Sequence, residues 1–209
     1  MSTQKIINWE NLYKNSETFK NNKPFRFAFV EEVFHRPFYE KLYETFPNPD
    51  NSWEQNQFRR VSKMKPLLDG SDELKEELHL SKEWNDFKTY MCSKEFLENF
   101  SNFIGIKVAK TLHSAFVVNT KGGFQLPHID YDGNYPHKIQ IMLYFSKNWQ
   151  KGDPGGTYIC KNEDESSIIF EPYNLDNSMV CFEETLGSWH GTRYITKDVT
   201  RRALGIALK

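Results

Sequence analysis

The sequence predicts a mainly β fold, a sandwich or jelly roll, with helices packed on one sheet. Two observations carry that prediction. From about residue 107 onward, short runs rich in β-branched and aromatic residues alternate with Gly, Pro, Asn and Asp turn signals. Before that point, apolar residues recur at helical spacing between serine caps and proline or glycine stops. The 209 residues fit a single domain. Residues 1–106 form its helical and mixed part, and 107–209 its β core.

The elements follow in order. FRFAFVEEVF (25–34) has the Phe and Val content of a strand. RPFYEKLYETFP (36–47) has apolar residues at 38, 39, 42, 43 and 46, a helical spacing, with Pro37 near its start and Pro47 at its end. NSWEQNQFRRVSKMKP (51–66) is polar and basic and reads as a loop or irregular strand. SDELKEELHL opens on Ser71, an N-cap candidate, and reads as a helix. Two further helices start at Ser81 and Ser93, the second stopping at Gly105. Strands are expected at 111–119, 137–146, 156–161, 166–171, 178–184 and 201–209.

Charged residues make up 26 % of the chain and the net charge is −1, a balance that argues against bulk attraction to nucleic acid or an anionic membrane. The longest apolar runs, such as IMLYF, are too short to span a bilayer. The N-terminal stretch lacks the apolar core of a signal peptide. Three cysteines, an odd number with no CxxC pair, point to a cytoplasmic protein.

The chemistry centres on LPHIDYDG (126–133). On an extended backbone, residues i and i+2 share a face, so His128 and Asp130 point together. Asp132 is the rival carboxylate, in a DG turn. Another neutral imidazole completes a two-histidine, one-carboxylate set, which suits iron(II) and leaves coordination positions open. His190, in GSWHGTRY, offers it. A 2-oxo acid in those positions needs a cation for its far carboxylate, and a guanidinium grips a carboxylate with two parallel bonds. Arg201 and Arg202 are the candidates, and strand alternation sends them to opposite faces.

HID (128–130), WHG (189–191) and RRA (201–203), with IMLYFSKNWQKGDPGGTY between them, resemble the iron(II)- and 2-oxoglutarate-dependent oxygenases, in their prolyl-hydroxylase-like branch. The resemblance covers roughly residues 110 to 209. It implies a double-stranded β-helix, a cupin-like jelly roll with the N-terminal helices on one sheet. It implies Fe(II) bound by His128, Asp130 and His190, with 2-oxoglutarate and O2 as co-substrates. Arg201 is the residue that matches the family's 2-oxoglutarate arginine. Two departures stand out: Ala203 replaces the family's serine, and no tyrosine directly precedes HID, where Phe124 and Gln125 stand. The family's halogenases lack the carboxylate ligand, so Asp130 implies hydroxylation or a related oxidation, not halogenation.

Alternation along HKIQIMLYF sets Ile139, Ile141, Leu143 and Phe145 on one face, for the helices, and turns Gln140 and Tyr144 to the pocket as further 2-oxoglutarate candidates. The basic run 58–65, with Arg59, Arg60, Lys63 and Lys65, reads as a solvated surface or as a lid; a lid implies an anionic substrate. His35, His79, His113 and His137 read as structural or exposed, Trp189 as packing, and Arg193 as a candidate for the pocket rim.

The expected function is 2-oxoglutarate-dependent hydroxylation of an unactivated C–H bond in a small-molecule or peptidyl substrate, releasing succinate and CO2. The rival readings are a nucleic-acid demethylase of the same superfamily, a non-catalytic metal-binding β-sandwich, and an iron enzyme that uses no oxo acid. The first needs a basic groove with stacking aromatics, which the charge balance disfavours.

Overall fold

The computed structural model describes residues 5–56, 60–68, 79–131 and 138–209. The helix expected from Ser71, and Arg59, Asp132 and His137, lie outside the described residues. The elements run α1 (Trp9–Lys14), α2 (Ser16–Asn21), β1 (Phe27–Glu31), α3 (Arg36–Glu44), β2 (Glu54–Asn56), β3 (Arg60–Leu68), α4 (Lys82–Tyr90), α5 (Lys94–Ile104), β4 (Thr111–Asn119), β5 (Phe124–His128), β6 (Ile139–Phe145), β7 (Thr157–Cys160), β8 (Ile168–Phe170), β9 (Asp176–Glu183), β10 (His190–Thr192) and β11 (Arg201–Leu208). No helix among the described residues is long and apolar enough to cross a membrane.

The helices start and stop where local chemistry dictates. The Ser81 hydroxyl accepts from the Trp84 N–H at 3.3 Å, and the Ser93 hydroxyl accepts from Phe96 at 3.2 Å, so both caps satisfy a first-turn donor. Gly105 ends α5 at φ +68°, a backbone conformation glycine adopts without a Cβ penalty. Two short helices, α1 and α2, form where the sequence showed no clear period; Asn8 caps the first through its side chain.

The strands build one curled antiparallel sheet in the order β1-β9-β6-β11-β4-β3-β5-β10-β7-β8, with β2 paired to β3. This is the mainly β, jelly-roll architecture the turn spacing implied. β3 is the corner: Lys63–Leu68 run beside β4, while Arg60 and Val61 pair with Gln125 and Phe124 of β5. Polar residues 60–68 become a regular strand because the long β4 ladder offers partners, a tertiary preference that overrides composition.

Alternation separates two cores. Ile139, Ile141, Leu143 and Phe145 of β6, with Leu204, Ile206 and Leu208 of β11, face the helices and join Phe38, Trp84, Phe87 and Phe100. Trp84 is fully buried, its ring centroid 4.8 Å from Phe116 and 5.2 Å from Phe145. Truncating such a residue costs about 3–5 kcal/mol. The opposite face carries Tyr144, Val117, Val180, Phe182 and Ala203, closed over by Ile159 and Leu175. The functional groups lie on this inner face.

Candidate metal and co-substrate site

β5 and β10 are antiparallel neighbours, and His190 is the register partner of His128. Their ring centroids are 4.2 Å apart. Asp130, two residues beyond His128, reaches back between them: one carboxylate oxygen lies 3.4 Å from His128 Nε2, the other 3.6 Å from His190 Nε2. The three ligand atoms all fall within 4.8 Å of one another, and among the described residues this is a group able to hold a metal ion.

Backbone carbonyls orient both imidazoles. His128 Nδ1 lies 2.9 Å from the Leu126 carbonyl and His190 Nδ1 lies 2.8 Å from the Ser188 carbonyl. A carbonyl can only accept, so each Nδ1 carries the proton and each Nε2 lone pair faces Asp130. A tight turn delivers His190: Ser188 N donates to the Thr185 carbonyl at 3.2 Å, and the Ser188 hydroxyl accepts from Thr185 N at 3.1 Å. Phe182 packs against the His190 ring at 4.5 Å. Gly191 follows because the backbone is crowded there; a Cβ would stand 2.6 Å from the Gln125 carbonyl oxygen.

The electrostatics suit a cation. Burial, then the neighbouring His128, push the His190 pKa down, favouring the neutral imidazole. Burial works to raise the Asp130 pKa, but the facing His128 and His190 outweigh it and hold the carboxyl well below the usual range, so the group stays ionised. The Asp130 side chain keeps 38 % exposure, so the centre opens to one side. Gln140 donates to its carboxylate at 3.3 Å. Gln125, in place of the tyrosine expected before HID, sets its amide 2.9 Å from His128 Nε2.

Arg201 occupies a separate, fully buried pocket on the same inner face. Its guanidinium donates to Asn119 Oδ1 at 2.9 Å and Thr157 Oγ1 at 3.3 Å. It lies 5.3 Å from the centroid of the Tyr144 ring. Tyr144 Oη accepts from the Thr157 N–H at 2.8 Å. Burial lowers the Arg201 pKa, and Tyr144 partly offsets the effect; Arg201 Nε finds no partner among the described residues. Among the described residues no carboxylate pairs with this buried charge. Such an uncompensated group is costly unless a ligand completes it. Arg202 takes the other face, over Tyr43 and Phe46 at 5.7 and 5.8 Å.

The remaining candidates fall elsewhere. Gln140 sits beside Asp130, while Tyr144 adjoins Arg201. Arg193 is held by Glu171, with Nε to Oε2 at 2.7 Å, and by the Gly152 carbonyl. His35 precedes α3 and His79 is exposed. Lys63 and Lys65 belong to β3, where Lys65 reaches Ser52, so this part of the basic run is sheet and no separate lid. Asn119, Thr157 and Glu184 escaped the sequence reading. Asn119 and Thr157 sit at strand ends that meet only when the sheet curls. Glu184, two residues beyond Phe182 and just past the end of β9, was within reach of alternation.

The curled antiparallel sheet is that of a double-stranded β-helix, and its inner face carries a two-histidine, one-carboxylate cluster able to hold a metal ion. Residues 113–207 match the family model described as the 2OG-Fe(II) oxygenase superfamily. Over those residues, a little under half of the chain, the protein is similar to that superfamily, whose members use Fe(II), 2-oxoglutarate and O2. Similar folds include a Pseudomonas putida prolyl-4-hydroxylase (12 % identity, TM-score 0.66, 95 % of this chain and 98 % of that one). A Trichoplax adhaerens prolyl hydroxylase, solved with a hypoxia inducible factor peptide fragment, is 13 % identical with a TM-score of 0.61 over 96 % of this chain and 88 % of that one. HygX from Streptomyces hygroscopicus, solved with nickel and 2-oxoglutarate, is 12 % identical with a TM-score of 0.56 over 95 % of this chain and 85 % of that one. No curated protein matches the chain by sequence.

Proposed function

We propose that this protein is a 2-oxoglutarate-dependent oxygenase that hydroxylates an unactivated C–H bond of a small-molecule or peptidyl substrate. The balance is substrate C–H plus 2-oxoglutarate plus O2 giving the alcohol, succinate and CO2. The observation that carries this reading is the convergence of His128, Asp130 and His190 on the same inner face as a buried guanidinium with no acidic partner.

Bound Fe(II) supplies the activation of O2 and the oxidation of the C–H bond. The rest is done by this chain. His128 and His190 offer Nε2, and Asp130 offers an ionised oxygen, which lowers the divalent charge to about +1 and favours chelation by a dianionic oxo acid. Gln140 steadies Asp130 from behind, as outer-shell partners of metal ligands do. Arg201, flanked by Asn119, Thr157 and Tyr144, makes the closed end that takes the distal carboxylate of 2-oxoglutarate. The inner-face apolar cluster excludes water from the reacting bond. Asp130 fills the position that a halide would need, which supports hydroxylation.

The test is succinate release by protein reconstituted anaerobically with Fe(II) and 2-oxoglutarate, then exposed to air. Wild type is expected to release succinate slowly without substrate and faster with it, and His128→Ala to release none. Wild-type protein that binds neither Fe(II) nor 2-oxoglutarate overturns the reading.

A further inference from the structure

The metal centre and the Arg201 site leave two titratable side chains beside Asp130 without a task. Arg60 opens β3 in register with Gln125, whose side chain touches His128. Its Nε is buried and has no hydrogen-bond partner among the described residues, and Asp130 is the first acid whose charge acts on it. Glu184 stands at the end of β9, 7 % exposed. Among the described residues its Oε1 is buried with no partner, and its Oε2 receives a long 3.4 Å bond from Ser188. Gln140 links this flank to Asp130.

The two groups come from opposite walls. In sheet order β6, β11 and β4 separate β9 from β3. Asp130 lies between a guanidinium on one side and a carboxyl on the other, each with an orphaned polar atom. Leaving such an atom unmatched costs about 1–3 kcal/mol, more for a charged group. A guanidinium and a carboxyl of this kind around one reaction centre call for a ligand that supplies both partners, its cation holding the carboxyl ionised.

Resting on the oxygenase reading above, we propose that the substrate is a zwitterion, a free amino acid or close derivative. Its carboxylate pairs with Arg60 and its ammonium with Glu184. The forked guanidinium suits a carboxylate, and the buried acid suits a compact cation that brings its own hydrogen bonds. Both charged groups of an α-amino acid sit on its Cα, so the two anchors would hold that end beside Asp130 and leave the side chain free to extend over its open side. An internal peptide residue has neither free end and leaves both anchors unmatched, so the small molecule is favoured over the peptidyl substrate.

The experiment is succinate release by the Fe(II)- and 2-oxoglutarate-loaded enzyme with the standard L-amino acids, their N-acetyl and carboxamide forms, and a proline-containing peptide. At least one free amino acid is expected to stimulate release, and blocking either end to lower kcat/KM by about tenfold or more. Arg60→Gln is expected to erase the preference for acid over amide, and Arg60→Lys to restore part of it. Glu184→Gln is expected to erase the preference for free over acetylated amine. Each is a ratio measured within one protein, so partial misfolding cancels. Substrate-free succinate release with no stimulation by any free amino acid, or equal activity of the blocked forms or the peptide, overturns the zwitterion and leaves the oxygenase reading intact. No succinate under any condition overturns both.

Discussion

His128 and His190 are 62 positions apart in the chain (190 − 128) yet stand directly opposite one another on β5 and β10, with rings 4.2 Å apart. The sheet ladder thus sets the spacing of the two imidazoles before any ion arrives. Asp130 closes the triangle from the loop beyond β5.

Gln140→Leu tests whether Asp130 needs its steadying hydrogen bond. The variant keeps volume but removes the donor at 3.3 Å. Fe(II) affinity is expected to fall about 10- to 100-fold, the usual consequence of losing an outer-shell partner. Anaerobic titration with Fe(II) provides the readout, and an unchanged dissociation constant refutes the role.

Arg201 and Arg202 make a paired test. Arg201→Gln removes the buried cation, and the KM for 2-oxoglutarate is expected to rise by the equivalent of about 2–5 kcal/mol. Each 1.4 kcal/mol or so is a factor of about ten. Arg202→Gln, on the helix side above Tyr43 and Phe46, is expected to leave that KM nearly unchanged. Equal effects of the two substitutions contradict the assignment.

Gly191→Ala introduces a methyl group 2.6 Å from both the Gln125 carbonyl oxygen and Tyr158 Cζ. Backbone on one side and a packed ring on the other leave little room to relax. Overpacking of this kind costs about 1–3 kcal/mol, and each kcal/mol lowers Tm by about 2–4 °C in a chain of this size. Because His190 is the preceding residue, Fe(II) affinity is expected to fall too. Calorimetry and metal titration on the same sample check both.

Glu184 predicts a pH dependence in the metal-free protein. Burial, aided by the charge of Asp130, pushes its carboxyl up to about 8. The unfolded chain has it near about 4.3. The folded state therefore holds a proton that the unfolded state has released, and stability present below about 4.3 is lost as pH rises toward about 8. Glu184→Gln carries no such proton. Wild type is expected to lose more Tm than the variant between about pH 5 and pH 8. Parallel curves rule this out.

Much of this molecule was readable in its residues. β4 runs from Thr111 to Asn119, the span marked by its apolar run. The alternation in β6 placed Ile139, Ile141, Leu143 and Phe145 on the helices and Tyr144 inside, as the two core clusters show. Local signals sufficed there, because each residue's face follows from its neighbours two away. β3 was obscure because its basic, polar sequence has no strand period of its own and takes its place from Val117 and Val118 across the ladder. Asn119 and Thr157 were obscure for a related reason. They reach Arg201 from β4 and β7, and only the curl of the sheet makes them neighbours.

The family match starts at residue 113, but two of the strands that close the sheet start earlier. β1 covers the edge of β9, and β3 bridges β4 to β5. The Asn119 amide that receives Arg201 also donates to the Val61 carbonyl at 2.9 Å. A truncated fragment cut at the start of the matched stretch would bare two long ladders to other chains, the usual route to aggregation. It would also unseat the floor on which Arg201 rests, so any minimal catalytic unit carved from this protein has to keep its first hundred residues.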